Sequence, residues 1–118
     1  MTYVDGYVLP VPKKNMKAYR KMAQMAGRIW RKHGALDYKE CVGDDLNNKW
    51  GTAFPKIIKL KSGETVVFSY IVFKSKKHRN MVNAKVMKDP SMNEWKDKPM
   101  PFDMKKMVYG GFKVLVDA

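Results

Sequence analysis

The sequence predicts an α+β domain whose main elements run strand, helix, strand, strand, helix, strand. Three observations carry that prediction. The chain opens on Tyr3-Val4-Asp5-Gly6-Tyr7-Val8-Leu9 and closes on Met107-Val108-Tyr109-Gly110-Gly111-Phe112-Lys113-Val114-Leu115-Val116, two β-rich stretches that echo each other. Each carries an aromatic and a glycine mid-strand, where glycine weakens a sheet unless a bulge or close contact needs it. Between Met16 and His33, apolar residues recur at three- and four-residue steps, the period of an amphipathic helix. The stretch Thr65–Phe73 is apolar on both alternating sets, Val66, Phe68, Tyr70 and Val72 against Val67, Ile71 and Phe73. At 118 residues the chain forms one domain, 1–118, large enough for a core without staples.

The first strand runs from Tyr3 to Val11, ended by Pro10 and Pro12, which cannot donate to a ladder. Asn15 is placed to cap the first helix and Gly34 to stop it in the left-handed conformation. Its inner stripe includes Met16, Tyr19, Ala23, Ala26, Trp30 and His33, while Lys and Arg crowd the other side. Ala35–Val42 follows as a strand, with Leu36, Tyr38 and Glu40 on one face and Asp37, Lys39 and Cys41 on the other. Gly43–Lys49 is turn chemistry. After Thr52 two outcomes stand: a short helix opened by Thr52-Ala53-Phe54-Pro55 and running through Ile58, or a strand at Ile57–Leu60. Lys61–Glu64 turns the chain into the apolar strand Thr65–Phe73. Ser75 caps a helix through Met87, with His78, Met81, Val82, Ala84, Lys85 and Met87 near its inner side. Asp89-Pro90 breaks it, Asp89 caps a further turn through Trp95, and Lys98–Pro101 leads into the last strand.

Two βαβ halves of this kind give the ferredoxin-like βαββαβ order, an antiparallel sheet with two helices on one face. Strands apolar on both faces need cover on both. Two helices supply one cover, so the predicted second cover is another copy of the chain, the two sheets closing face to face as a barrel.

No run reaches the roughly 18 apolar residues of a membrane span, and the N-terminus lacks a signal-peptide pattern. The lone Cys41 excludes an internal disulfide. A cytoplasmic protein with no membrane association is expected. The balance of 24 Lys+Arg against 11 Asp+Glu, a formal +13, serves solubility or attracts an anionic partner. Two histidines far apart and one cysteine give no metal-ligand spacing, so no metal site and no cofactor are expected.

Several blocks occur together: Tyr3-Val4-Asp5-Gly6-Tyr7-Val8, Val66-Val67-Phe68-Ser69-Tyr70, His78-Arg79-Asn80, Asn83–Pro90, Met100-Pro101-Phe102-Asp103 and Met107–Phe112. With them the chain resembles the YbaA-like family, small bacterial proteins of unknown function in the dimeric α+β-barrel superfamily. The resemblance spans nearly the whole chain and implies a ferredoxin-like protomer and a barrel-forming homodimer. By superfamily analogy it also implies, for an enzyme, cofactor-independent monooxygenase- or isomerase-like chemistry on a small organic molecule held between helices and sheet.

Candidate proton carriers are Glu40 and His78. A carboxylate aimed at an apolar interior is suited to proton transfer; the alternative for Glu40 is an exposed edge-strand charge. His78 carries an imidazole, a side chain type suited to general-base work, or serves as a packing histidine. The candidate pocket is Tyr7, Tyr19, Trp30, His33, Tyr38, Ser69, Asn83 and Tyr109, with His33 expected to act mainly as a helix cap. Asp5 and Asp103 are expected to bond local backbone, and Cys41 to be a buried inert thiol. Two competing classes remain. One is a basic RNA-binding module stacking bases on Phe68, Tyr70 and Tyr109 beside Lys113; it lacks the expected aromatic signature, and a sheet-to-sheet dimer would hide its surface. The other is a non-enzymatic structural or stress-related interaction protein.

Overall fold

A computed structural model describes residues 1–118. Its elements are β1 (Tyr3–Pro12), α1 (Met16–Lys32), β2 (Asp37–Val42), a short α2 (Phe54–Ile57), β3 (Glu64–Phe73), α3 (Lys76–Lys88) and β4 (Val108–Lys113). Single turns of 3-10 helix precede α1 (Lys13–Asn15) and β4 (Met104–Lys106), and a longer one follows α3 (Pro90–Trp95). The strands form one sheet in the order β2-β3-β1-β4, every neighbouring pair antiparallel. This is the ferredoxin-like α+β arrangement expected from the element order.

Pro10 does not end β1, contrary to expectation, and the strand continues to Pro12. The reason lies in the pairing. Along β1, β4 covers only Tyr3–Val8, so beyond Val8 one side of β1 is an edge, where a missing N–H is tolerated. Asn15 occupies the N-cap position of α1, but its side chain donates to the Pro101 carbonyl at 3.0 Å and ties the chain's late connector to the helix start. The helix closes as expected: Gly34 takes φ 115°, and Ala35 N–H returns to the Trp30 carbonyl at 3.0 Å. Ser75 Oγ caps α3 by accepting the His78 N–H at 3.0 Å.

The inner stripe of α3 differs from the one predicted. Val82 and Val86 are fully buried, while Met81 and Met87 are exposed. The helix meets the sheet along a single i, i+4 ridge, too narrow to bury both flanking methionines. The segment after Thr52 adopts the short helix rather than a strand. The last strand stops at Lys113, short of Val116; one further bond, Val114 N–H to the Thr2 carbonyl at 3.0 Å, ends its pairing, and Leu115 and Val116 are exposed.

Odd-numbered residues of β1 and β3 face the helices. The core they build is split in two. Tyr3, Ile71 and Phe73 pack with Ile29, Val82 and Val86 at one end of the sheet. Leu9, Val11 and Val67 pack with Tyr19 and Ala23 at the other. Each such large side chain contributes about 1.5–3 kcal/mol when fully buried. Between the two clusters the sheet presents a more polar row, and the candidate site lies there.

Candidate functional site

Register builds the row. Glu40 on β2 pairs with Ser69 on β3, Ser69 with Tyr7 on β1, and Tyr7 with Tyr109 on β4. All four stand on the helix-facing side. Tyr38, two residues before Glu40, shares its face because a strand has a period of two. From above, α1 lowers Tyr19 onto the same carboxylate. Tyr19 Oη donates to Glu40 Oε1 at 2.7 Å and Tyr38 Oη to Glu40 Oε2 at 2.6 Å. Burial first, then the neighbouring Glu40 charge, pushes both phenols far above their usual pKa, so both remain protonated donors. Tyr7, desolvated and close to Asp5, is pushed up to about 12 and stacks on Tyr109 with ring centroids 5.6 Å apart.

Gly27 makes the approach of α1 possible. A Cβ at that position would lie 3.0 Å from the Tyr38 ring, closer than side chains pack.

Beside the row lies a cavity of about 580 Å³, within the size range of small-molecule sites. Its floor is Tyr7, Ser69 and Glu40; its wall is α1 through Met25 and Trp30; its cover is the stretch after α3, through Trp95 and Phe102. Seven methionines line it, from Met22 to Met107. The cover is fastened: Trp95 Nε1 donates to Met25 Sδ at 2.9 Å, and Asn15 holds Pro101. A second cavity of about 750 Å³ opens between α1 and β2, and Tyr19, Glu40 and Tyr38 line both. The tyrosine–carboxylate clamp is therefore the partition between an inner and an outer chamber.

Of the residues proposed from sequence, Tyr7, Tyr19, Trp30, Tyr38, Glu40 and Ser69 converge on the inner cavity. Tyr109 adjoins it by stacking on Tyr7. Asn83 stands behind it, its Oδ1 accepting from Trp30 Nε1 at 3.0 Å. The two histidines line neither chamber. His33 Nε2 sits 2.6 Å from Asp89 Oδ2, fastening the end of α1 to the end of α3. His78 Nδ1 accepts the Lys74 N–H at 3.0 Å, and its ring packs edge-on to Phe73.

Three other expectations are corrected. Asp5 does not bond local backbone: it is buried and paired with Arg79 at 3.0 Å, and Arg79 also lies over the Tyr3 ring at 5.0 Å. Burial raises the Asp5 pKa despite the guanidinium. Cys41 is exposed rather than buried, because it faces away from the helices on edge strand β2. Tyr109 does not share a surface with Phe68 and Tyr70; parity places it on the helix side and them on the open side. The pairing of Asp5 with Arg79 and the methionine-rich cover were not anticipated. The latter had one signal, the recurrence of Met and aromatics across the proline-punctuated stretch 90–107.

Across β1, β3 and β4 the open side of the sheet is largely apolar, while β2 adds Asp37 and Lys39 to it. Phe68, Val108 and Phe112 are 44%, 58% and 61% exposed there. None of the chain's 24 Lys+Arg stands on the open side of β1, β3 or β4. The opposed glycines Gly6 and Gly110 leave a shelf on which the Phe112 ring lies.

The family model described as "Protein of unknown function (DUF1428)" matches residues 2–104. The uncharacterized protein YbaA of Escherichia coli K12 is 43% identical over 117 residues, covering 99% of each chain. YbaA of Shigella flexneri is similar to the same extent. Among solved structures, that of Rv0793 from Mycobacterium tuberculosis matches over 100% of this chain and 99% of its own, with a TM-score of 0.57 at 10% identity, a likeness of fold. No helix is long and apolar enough to cross a membrane.

Proposed function

This chain belongs to the DUF1428 family of proteins of unknown function, and we propose that it binds, as a homodimer, a small organic molecule in the inner cavity. The observation that carries the reading is the Tyr19–Glu40–Tyr38 clamp at the edge of an otherwise aromatic and methionine-rich chamber. A few convergent polar groups in an apolar pocket are the usual composition of a ligand site, and methionines adapt to varied shapes. In this reading, where binding leads to turnover, Glu40 exchanges a proton with the bound molecule, a role supported by its position on the cavity floor.

The dimer is supported by the open side of the sheet. A surface that is exposed and apolar across β1, β3 and β4, with Lys39 of β2 its one basic strand residue, on a chain of formal charge +13, suits a second copy better than a nucleic acid. A cytoplasmic setting accords with the single, exposed Cys41. A screen of small apolar and amphipathic compounds by amide NMR shifts tests the reading. Shifts gathered on Tyr7, Tyr38, Glu40 and Ser69 support it; shifts confined to the open side of the sheet, or none, refute it.

A further inference from the structure

We infer that the inner cavity takes a hydrophobic organic cation, an ammonium group on an apolar body, with Glu40 as its counter-ion. The inference rests on the small-molecule reading above and gives the charge of the ligand. The protein's four ion pairs engage Asp5, Asp37 and Asp89, and none engages Glu40. Glu40 and Glu64 are both half-buried carboxylates without a basic partner in a chain with 24 Lys+Arg, and of the two Glu40 lines the cavity. Carboxylates withdrawn from water are ordinarily paired.

The bonding of Glu40 leaves room for such a partner. An ionised carboxylate offers about four acceptor positions, and the two phenols occupy one on each oxygen. Those phenols are committed as donors to Glu40, and burial keeps them protonated. They are therefore unavailable to hold an anionic ligand. The surroundings favour a cation as well. Tyr7 and Trp30 line the cavity with aromatic rings, and such rings attract an ammonium within about 6 Å; the Trp95 ring already holds one, Lys98 Nζ 4.7 Å from its centroid. The one basic residue on the lining, Lys96, is exposed at the rim. The formal charge of +13 slows the approach of a cation from solution. Inside the chamber the unpaired carboxylate acts at short range and lower dielectric, so it governs the bound state.

Calorimetric titration with three molecules of matched shape tests the inference: 2-phenylethylammonium, 2-phenylethanol and phenylacetate. The expected order is ammonium tightest, about tenfold or more over the alcohol, as a charge-assisted hydrogen bond provides, and phenylacetate weakest. In Glu40→Gln the preference for the ammonium over the alcohol should vanish, the two binding within about twofold of each other. Alcohol or phenylacetate binding as tightly as the ammonium to the unaltered protein overturns the inference without needing the variant, and leaves the small-molecule reading standing. So does an ammonium affinity unchanged by Glu40→Gln. Binding by none of the three overturns the inference, and the small-molecule reading falls with it only when the wider NMR screen is empty too.

Discussion

Replacing Phe112 by Asp should convert the proposed dimer to a folded monomer. The ring is 61% exposed on the open side of the sheet, flat against the Gly6–Gly110 shelf. A buried Phe covers on the order of 200 Å², so about 120 Å² of this ring is left for a partner. At about 25 cal/mol per Å² that is roughly 3 kcal/mol per copy. An isologous interface contains the residue twice, giving about 6 kcal/mol as an upper limit. If half of it is realised, dimer dissociation strengthens about a hundredfold, before the cost of burying a carboxylate is added. Analytical ultracentrifugation across a dilution series reads the change, from twice 13.7 kDa to 13.7 kDa. Circular dichroism should show the variant still folded, since the substitution touches neither core cluster. Equal dissociation constants for the two proteins, or an unaltered chain that is monomeric at high concentration, would refute the reasoning.

Three further outcomes follow from the interior. Gly27→Ala adds a methyl 3.0 Å from the Tyr38 ring; overpacking of about 2 kcal/mol should outweigh the roughly 1 kcal/mol gain in helix propensity, so thermal melting should fall, and a rise would contradict the packing described. Arg79→Ala strands buried Asp5 without its partner; a loss of about 3 kcal/mol is expected in urea unfolding, partly restored by adding Asp5→Asn, and absence of that rescue would count against the pair. Asp89 is held well below the usual carboxylate range, first by the Ser91 N–H and then by His33 and Lys32. Because its folded pKa is depressed, its stabilisation is complete above the ordinary value near 3.8 and fades as pH falls below it. Asp89→Asn should therefore be less stable than the unaltered protein at pH 6, with the gap narrowing below about pH 4; a gap constant with pH would refute the assignment.

The sheet was legible because its signals are local. Alternation within Thr65–Phe73 and Val108–Phe112 fixes which side chains share a face, and apolar residues on both faces of β3 announce an uncovered side. Part of the site was legible for the same reason: Tyr38 and Glu40 share a face at i, i+2. That Tyr19 reaches the same carboxylate depends on how α1 sits across the sheet, which no spacing specifies. The same holds for Asp5 with Arg79 and for His33 with Asp89, pairs 74 and 56 residues apart. Local chemistry alone makes Asp5 a strand aspartate and His33 a helix end. The cover over the cavity escaped notice because residues 90–107 have no single period: 3-10 turns and prolines replace helix and strand repeats.

The most direct test is a crystal structure of the protein soaked with the tightest small molecule found by the NMR screen. The account predicts electron density inside the inner chamber, in contact with Glu40 and beside the Tyr7 ring, with the 90–107 cover closed over it. Density found solely on the open side of the sheet or the outer surface, with the chamber holding only water, would contradict it.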